Sequence, residues 1–193
     1  MSPKSALLVI DVQQDLFSGP DAAYRGDEVM ARIADLAARA RAAGTPVVYV
    51  QHDGEPTDGL CALGTPGWEI HPAVAPQEGD TIVHKVNSDG FYETNLNETL
   101  RALGAETLYV TGFASQFCVD ATSRRATSEG YDVVLVSDAH TTFPALEGWP
   151  IGPEQIIAHH NATLPNLAYR HHKVVAQPAA EVDFAAAGAP AAA

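Results

Sequence analysis

The sequence is short of cysteine and of positive charge, and each shortage excludes a class of protein. Among 193 residues only Cys61 and Cys118 are cysteines, far apart, so there is no Cys-x-x-Cys and no zinc-type pair. Both are expected to be free thiols rather than parts of a disulfide scaffold. Lys and Arg number 11 against 24 Asp and Glu, a formal net charge of -13. That sign opposes binding to nucleic acid or to an anionic membrane, and it favours neutral or cationic small molecules. No apolar run approaches the roughly 20 residues of a membrane span. Met-Ser-Pro-Lys-Ser leads straight into an apolar segment without a secretory pattern, so a cytoplasmic location is expected. No Gly-x-Gly-x-x-Gly follows that first segment, where DVQQDLFSG stands, and no Walker motif occurs. A nucleotide-binding reading therefore loses its support, and no internal repeat suggests a solenoid.

What remains is an ordinary globular mixture, 46% apolar and 18% charged. Ala6-Leu7-Leu8-Val9-Ile10 is a continuous apolar run, as expected of a parallel strand covered on both faces. Further strands are expected at 46–50, 81–85, 106–111, 131–136 and 173–176. Helices are expected at 27–43, 94–103, 117–128 and 153–163, with Gly44, Gly104 and Gly130 as stops. The alternation predicts a three-layer, doubly wound α/β domain over residues 1–184, with six mainly parallel strands in the order 3-2-1-4-5-6. Residues 53–80 have no helical period and read as a long functional loop. The Ala-rich residues 185–193 read as a flexible tail.

Three polar residues fall at the carboxyl edge of that sheet. Asp11 follows strand one, Lys85 ends strand three, and Cys118 follows strand four. Singly they read as a turn residue, a solvated lysine and a packing thiol. Together, beside the switch point between strands one and four, they form a candidate nucleophile with partners. Thiolate is the reactive form of cysteine. The amino end of helix 117–128 is expected to lower the Cys118 pKa, with Asp11 as proton acceptor and Lys85 as a cation favouring thiolate. Backbone amides at that helix start offer an oxyanion hole.

The motifs ALLVIDVQQDLF, VHKVNSDGFYETNL, VTGFASQFCVDATSRRATSEGYDVVLVSDAHTTF and IIAHHNATL, in this order, resemble the isochorismatase-like cysteine hydrolases over nearly the whole domain. The resemblance implies a catalytic set of Asp11, Lys85 and Cys118, with thiolate attack on a small-molecule amide and a thioester intermediate. It also implies a cis peptide between Phe113 and Ala114, and an oxyanion hole from the Ala114 and Cys118 amides. Relatives often carry Thr where Ser115 stands, so the hydroxyl and its hydrogen bond are expected to survive. Metal-binding relatives carry Asp-x-His after strand two; here the stretch is VQHDGEP, with Gln51 in place of a carboxylate, so no metal and no other cofactor is expected. The substrate is expected to be an amide, lactam, ureide or carbamoyl compound, a cationic streptothricin-type lactam among them. Relatives that split an enol ether can lack the cysteine. The alternatives are that isochorismatase-type chemistry and a non-catalytic binding protein on the same fold. The resemblance further implies a homodimer or homotetramer.

Phe17, Gln51, His52, Trp68 and Phe117 are the expected substrate contacts, and Phe91 and Tyr92 are placed either at the pocket or at the next helix. Cys61, in the long loop, reads as incidental. His159-His160 and His171-His172 read as structural, because adjacent side chains point apart and chelate poorly.

Overall fold

Ser5–Ile10 forms a strand, β1, buried along its whole length. Its alternate residues serve two cores. Leu7 and Val9 pack on one face with Val29, Ile33 and Leu36 of the helix α2 (Gly26–Ala42), while Ala6, Leu8 and Ile10 pack on the other with Leu96 and Leu100 of α3 (Leu96–Ala102). A single helical turn, α1 (Gln14–Phe17), separates β1 from α2. The computed structural model describes residues 5–184 apart from 58, 146–147 and 168–170. The expected flexible tail, 185–193, lies outside the described residues.

The remaining strands are β2 (Val47–His52), β3 (Thr81–Lys85), β4 (Thr107–Phe113), β5 (Asp132–Thr141) and β6 (Val174–Gln177). They form one six-stranded sheet in the order β3-β2-β1-β4-β5-β6, the order expected, and every pairing is parallel. The helices α4 (Asp120–Ser128) and α5 (Pro153–Thr163) complete the layers. Among the described residues no helix is long and apolar enough to cross a membrane.

The differences from expectation lie near the carboxyl edge. β5 continues five residues past Val136, because Gly112 and Phe113 of β4 pair with His140 and Thr141 across an irregularity after Val110. Polar Ser137, Asp138 and His140 hid that extension from a hydrophobic-pattern reading. The expected helix 117–128 begins instead as a wide turn, Ser115–Val119, that passes into α4. Segment 53–80 is anchored rather than free. It contains two short 3-10 turns, Pro66–Trp68 and Pro72–Val74, each started by a proline whose fixed φ suits a first helical position.

Gly112 decides how closely β4 can pass β1. Its φ is +111°, and a Cβ there would lie 2.0 Å from the Ile10 carbonyl oxygen. Gly44 also has positive φ, +73°, but a Cβ there meets nothing within 4 Å. The two positions separate a backbone clash from the cost of a left-handed conformation, about 1–2 kcal/mol for a residue with a Cβ. Gly44→Ala is expected to show that cost alone in a urea-denaturation midpoint. Gly112→Ala is expected to be at least about 2 kcal/mol worse, in the range reserved for core disruption. Equal losses would contradict the close approach.

Candidate active site

Strand ends bring the three polar groups together. Asp11 leaves β1 in a left-handed conformation, φ +50°, which Asp tolerates better than most residues and which often marks a functional position. Lys85, the last residue of β3, reaches past the end of β2, and its Nζ lies 2.8 Å from Asp11 Oδ2. The ion pair is closed off from water, with side-chain exposures of 0% for Lys85 and 3% for Asp11. The Lys85 ammonium also donates to Cys118 Sγ at 3.4 Å and to His52 Nδ1 at 3.4 Å. An ammonium has only three N–H groups and no acceptor, so all three face protein partners and the His52 Nδ1 lone pair must accept. Asp11 Oδ1 is buried and has no hydrogen-bond partner.

Cys118 is delivered from β4 through a cis Phe113–Ala114 peptide and the wide turn, in which the Val119 N–H donates to the Ala114 carbonyl at 3.1 Å. The thiol is not lowered, as a helix amino terminus alone would have it. Burial, and then the Asp11 charge, push it up to about 12, against the opposing pull of Lys85. The reason is position: Cys118 is the fourth residue of its turn, with a carboxylate close by, so the dipole is not the largest influence. Burial disfavours the Lys85 ammonium, but Asp11 and Cys118 outweigh it and raise Lys85 overall. At rest the Cys118 thiol therefore keeps its proton beside the Lys85 ammonium.

Asp11 and Cys118 open into a cavity of about 410 Å³, with Lys85 behind them and off its lining. Its polar lining includes Asp11, His52, Cys61, Asn87, Ser88 and Cys118, and its apolar walls are Leu16, Leu60, Val86, Phe113, Phe117 and Phe143, with Ala114 between. Of the expected substrate contacts, His52 and Phe117 lie on this wall. Phe17, Gln51 and Trp68 do not. Phe17 is buried in the core edge-on to Phe113, because the α1 turn points Leu16 inward instead. The buried Gln51 side chain donates to the Trp68 carbonyl, and the Trp68 indole donates to Asp53 and stacks on His84. Both residues hold segment 53–80 onto the sheet. Phe91 belongs to the core and Tyr92 is exposed.

Cys61, read as incidental, lies beside the site. It is buried on the cavity wall, its N–H held by Asp15 Oδ2 at 2.8 Å, and burial pushes its thiol up to about 12. Its isolation in a loop concealed this, as did the lack of periodicity around Leu60, Asn87 and Ser88. Ser115 is fully buried, with its hydroxyl 2.7 Å from His140 Nδ1 and 3.1 Å from the Thr141 carbonyl. His160 bonds the Ile156 carbonyl, His159 meets Thr163, and His172 lies 3.6 Å from Asp132, so neither histidine pair converges on a common point. Among the described residues no three His, Cys, Asp or Glu side chains are grouped to hold a metal ion.

Comparison with known proteins gives the arrangement a context. The family model described as the Isochorismatase domain matches residues 5–156. A streptothricin hydrolase from Streptomyces noursei is 41% identical over 183 residues, spanning 86% of this chain and 72% of that protein. A ureidoacrylate amidohydrolase from Methylobacterium radiotolerans is 32% identical over an alignment of 197 residues, spanning 83% of this chain and 72% of that one. The solved structure of an isochorismatase from Pseudomonas putida KT2440 superposes with a TM-score of 0.82 at 32% identity, covering 93% of this chain and 90% of that chain.

The electrostatics set a sharp expectation for thiol reactivity. Only thiolate is alkylated, so modification of Cys118 by iodoacetamide should climb about tenfold per pH unit from pH 7 to 10, without a plateau below pH 8. Asp11→Asn removes the charge that raises the thiol and leaves Lys85, which lowers it. Alkylation of Cys118 at pH 7.5 should therefore accelerate several-fold in that variant, read by peptide mass to separate Cys118 from Cys61. A plateau near neutrality in the wild type, or slower alkylation in Asp11→Asn, would show a standing thiolate.

Proposed function

The chain belongs to the isochorismatase family, and we propose that within it the protein is a cysteine-dependent amidohydrolase that cleaves a small-molecule C–N bond through a thioester. The observation that carries this reading is the buried Asp11–Lys85 pair in contact with Cys118 at the floor of an apolar-walled cavity. The similarity to a streptothricin hydrolase and a ureidoacrylate amidohydrolase supports an amide as the substrate.

Asp11 Oδ1, the buried acceptor without a partner, takes the thiol proton as Cys118 Sγ attacks the carbonyl carbon. The amides of Ala114, just before the wide turn, and of Cys118, within it, serve the developing oxyanion. Asp11 then returns the proton to the leaving nitrogen, the C–N bond breaks, and the acyl group remains on sulfur. Water adds to the thioester with Asp11 again as base, the C–S bond breaks, and the proton ends on the thiol. Lys85 keeps the floor of the site electrically balanced throughout. Because the resting thiol is neutral, the nucleophile forms only as the proton is removed.

The walls favour substrates without a carboxylate. None of the described lining residues is Lys or Arg, and the three donors of Lys85 are already directed at Asp11, Cys118 and His52. Among the described lining residues a substrate carboxylate meets no cation, and desolvating it there is costly. The net charge of -13 favours neutral or cationic molecules from a distance. A streptothricin-type lactam fits these terms better than ureidoacrylate.

Amine or ammonia release over an amide panel tests this, with streptothricin, neutral amides and carbamoyl compounds, and ureidoacrylate. Cys118→Ala and Asp11→Asn are expected to lose at least about 10²–10⁴-fold in kcat. Carboxylate-bearing amides should be turned over at least about tenfold less well than matched neutral ones. Hydrolysis retained in Cys118→Ala would instead indicate the enol-ether type of chemistry, which needs no thioester. A wild type inactive on the whole panel would favour a binding role.

A further inference from the structure

Ser115 opens the turn that carries Cys118, yet its side chain takes no part in lining the cavity. Behind it runs a polar chain, buried at Ser115 and His140 and partly buried at Asn161, that crosses three elements. The Ser115 hydroxyl meets His140 Nδ1 of β5 at 2.7 Å. His140 Nε2 meets Asn161 Oδ1 of α5 at 2.9 Å, and Asn161 Nδ2 donates to the Ser137 carbonyl at 2.8 Å. His140 is only 1% exposed, and burial pushes it down to about 4, with His160 acting in the same direction and the Asn161 hydrogen bond and Asp138 against it. At neutral pH the ring is uncharged and carries one hydrogen.

The position of that hydrogen follows from the far end of the chain. Asn161 must turn its NH₂ toward the Ser137 carbonyl, which leaves Oδ1 facing the ring. His140 Nε2 therefore carries the hydrogen and donates to Asn161, and Nδ1 is left as an acceptor. The Ser115 hydroxyl has one hydrogen, and the shorter of its two contacts is to Nδ1. The opposite tautomer would set a ring lone pair against Asn161 Oδ1. Reversing the amide to relieve that would set two oxygens against each other at Ser137.

We propose that His140 and Asn161 are positioning residues: by fixing one tautomer and one hydroxyl direction they lock Ser115, and with it the Ala114–Cys118 turn whose amides receive the oxyanion. This inference rests on the acyl-enzyme reading given above. The chain ties the turn to β5 and α5, two elements that supply none of the Asp–Lys–Cys groups. Its effect is on the geometry of the oxyanion site and not on the thiol. Displacements well under 1 Å matter at such a site, since a misplacement of about 1 Å can cost about 10²-fold in rate.

Replacing His140 with Leu or with Asn tests this directly, because the two side chains are close in shape and remove the same ring volume. Only Asn keeps an acceptor at the position of Nδ1. His140→Leu is expected to lower kcat by about 10–100-fold with KM within about threefold of wild type, and His140→Asn to recover at least about fivefold of that loss. Alkylation of Cys118 by iodoacetamide forms no oxyanion, so its rate should stay within about twofold in both variants. Equal kcat values in the Leu and Asn variants would overturn the proposal, as would alkylation falling in step with kcat. Should either variant fail to fold, Ser115→Ala against Ser115→Thr makes the same comparison from the other end of the bond, with Thr expected to keep kcat and Ala to lose it. Cys118→Ala, measured alongside, reads the acyl-enzyme route separately: hydrolysis there defeats that route however His140 behaves.

Discussion

The 2.8 Å ion pair between Asp11 and Lys85, shut away from water, is the constraint that the site is arranged around. Burying two charges costs several kcal/mol for each ion, and such a pair is poor evidence of a contribution to stability. Its placement makes sense as preparation for chemistry. The parallel order puts the carboxyl ends of β1, β2 and β3 side by side, so a lysine on an outer strand can reach the first residue past the central one. Gly112 lets β4 approach β1 closely enough for the next turn to set a thiol against the same ammonium.

That geometry gives a site that holds its nucleophile in reserve. Cys118 experiences burial and a carboxylate that favour the thiol, and one ammonium that favours thiolate; the first two prevail. A neutral thiol beside a base is compatible with an apolar cavity, whereas an unbalanced thiolate would be costly there. The surrounding loop is held with comparable care. The fully buried Gln13 donates to the carbonyls of His52 and Trp68 and accepts from the His52 N–H, so one side chain ties β2 to segment 53–80 and fixes the wall beside Lys85.

Much of this was legible from residue order. Continuous apolar runs ending in polar residues gave the strands, their alternation with helices gave the sheet order, and strand ends gave Asp11, Lys85 and Cys118 as neighbours. The cavity wall was not legible, because its residues come from segments without periodicity. Leu16 rather than Phe17 faces inward because of a single helical turn too short to leave a pattern. Gln51 and Trp68 read as contacts but serve as anchors, and Cys61, read as incidental, is on the wall. A helix dipole alone points the Cys118 shift downward, and the depth of burial that reverses it is not visible in residue order. His140 is not legible either, because a polar residue in an extended strand carries no hydrophobic signature.

The central claim is that Cys118 bears the acyl group of the substrate. Acid-quenching the wild-type enzyme during turnover of a streptothricin-type lactam or a neutral amide, followed by peptide mass analysis, tests it most directly. The account predicts the acyl mass on the peptide containing Cys118, removed by hydroxylamine and absent in Cys118→Ala. Hydrolysis retained in Cys118→Ala, or an acyl group found on Cys61 instead, would contradict it.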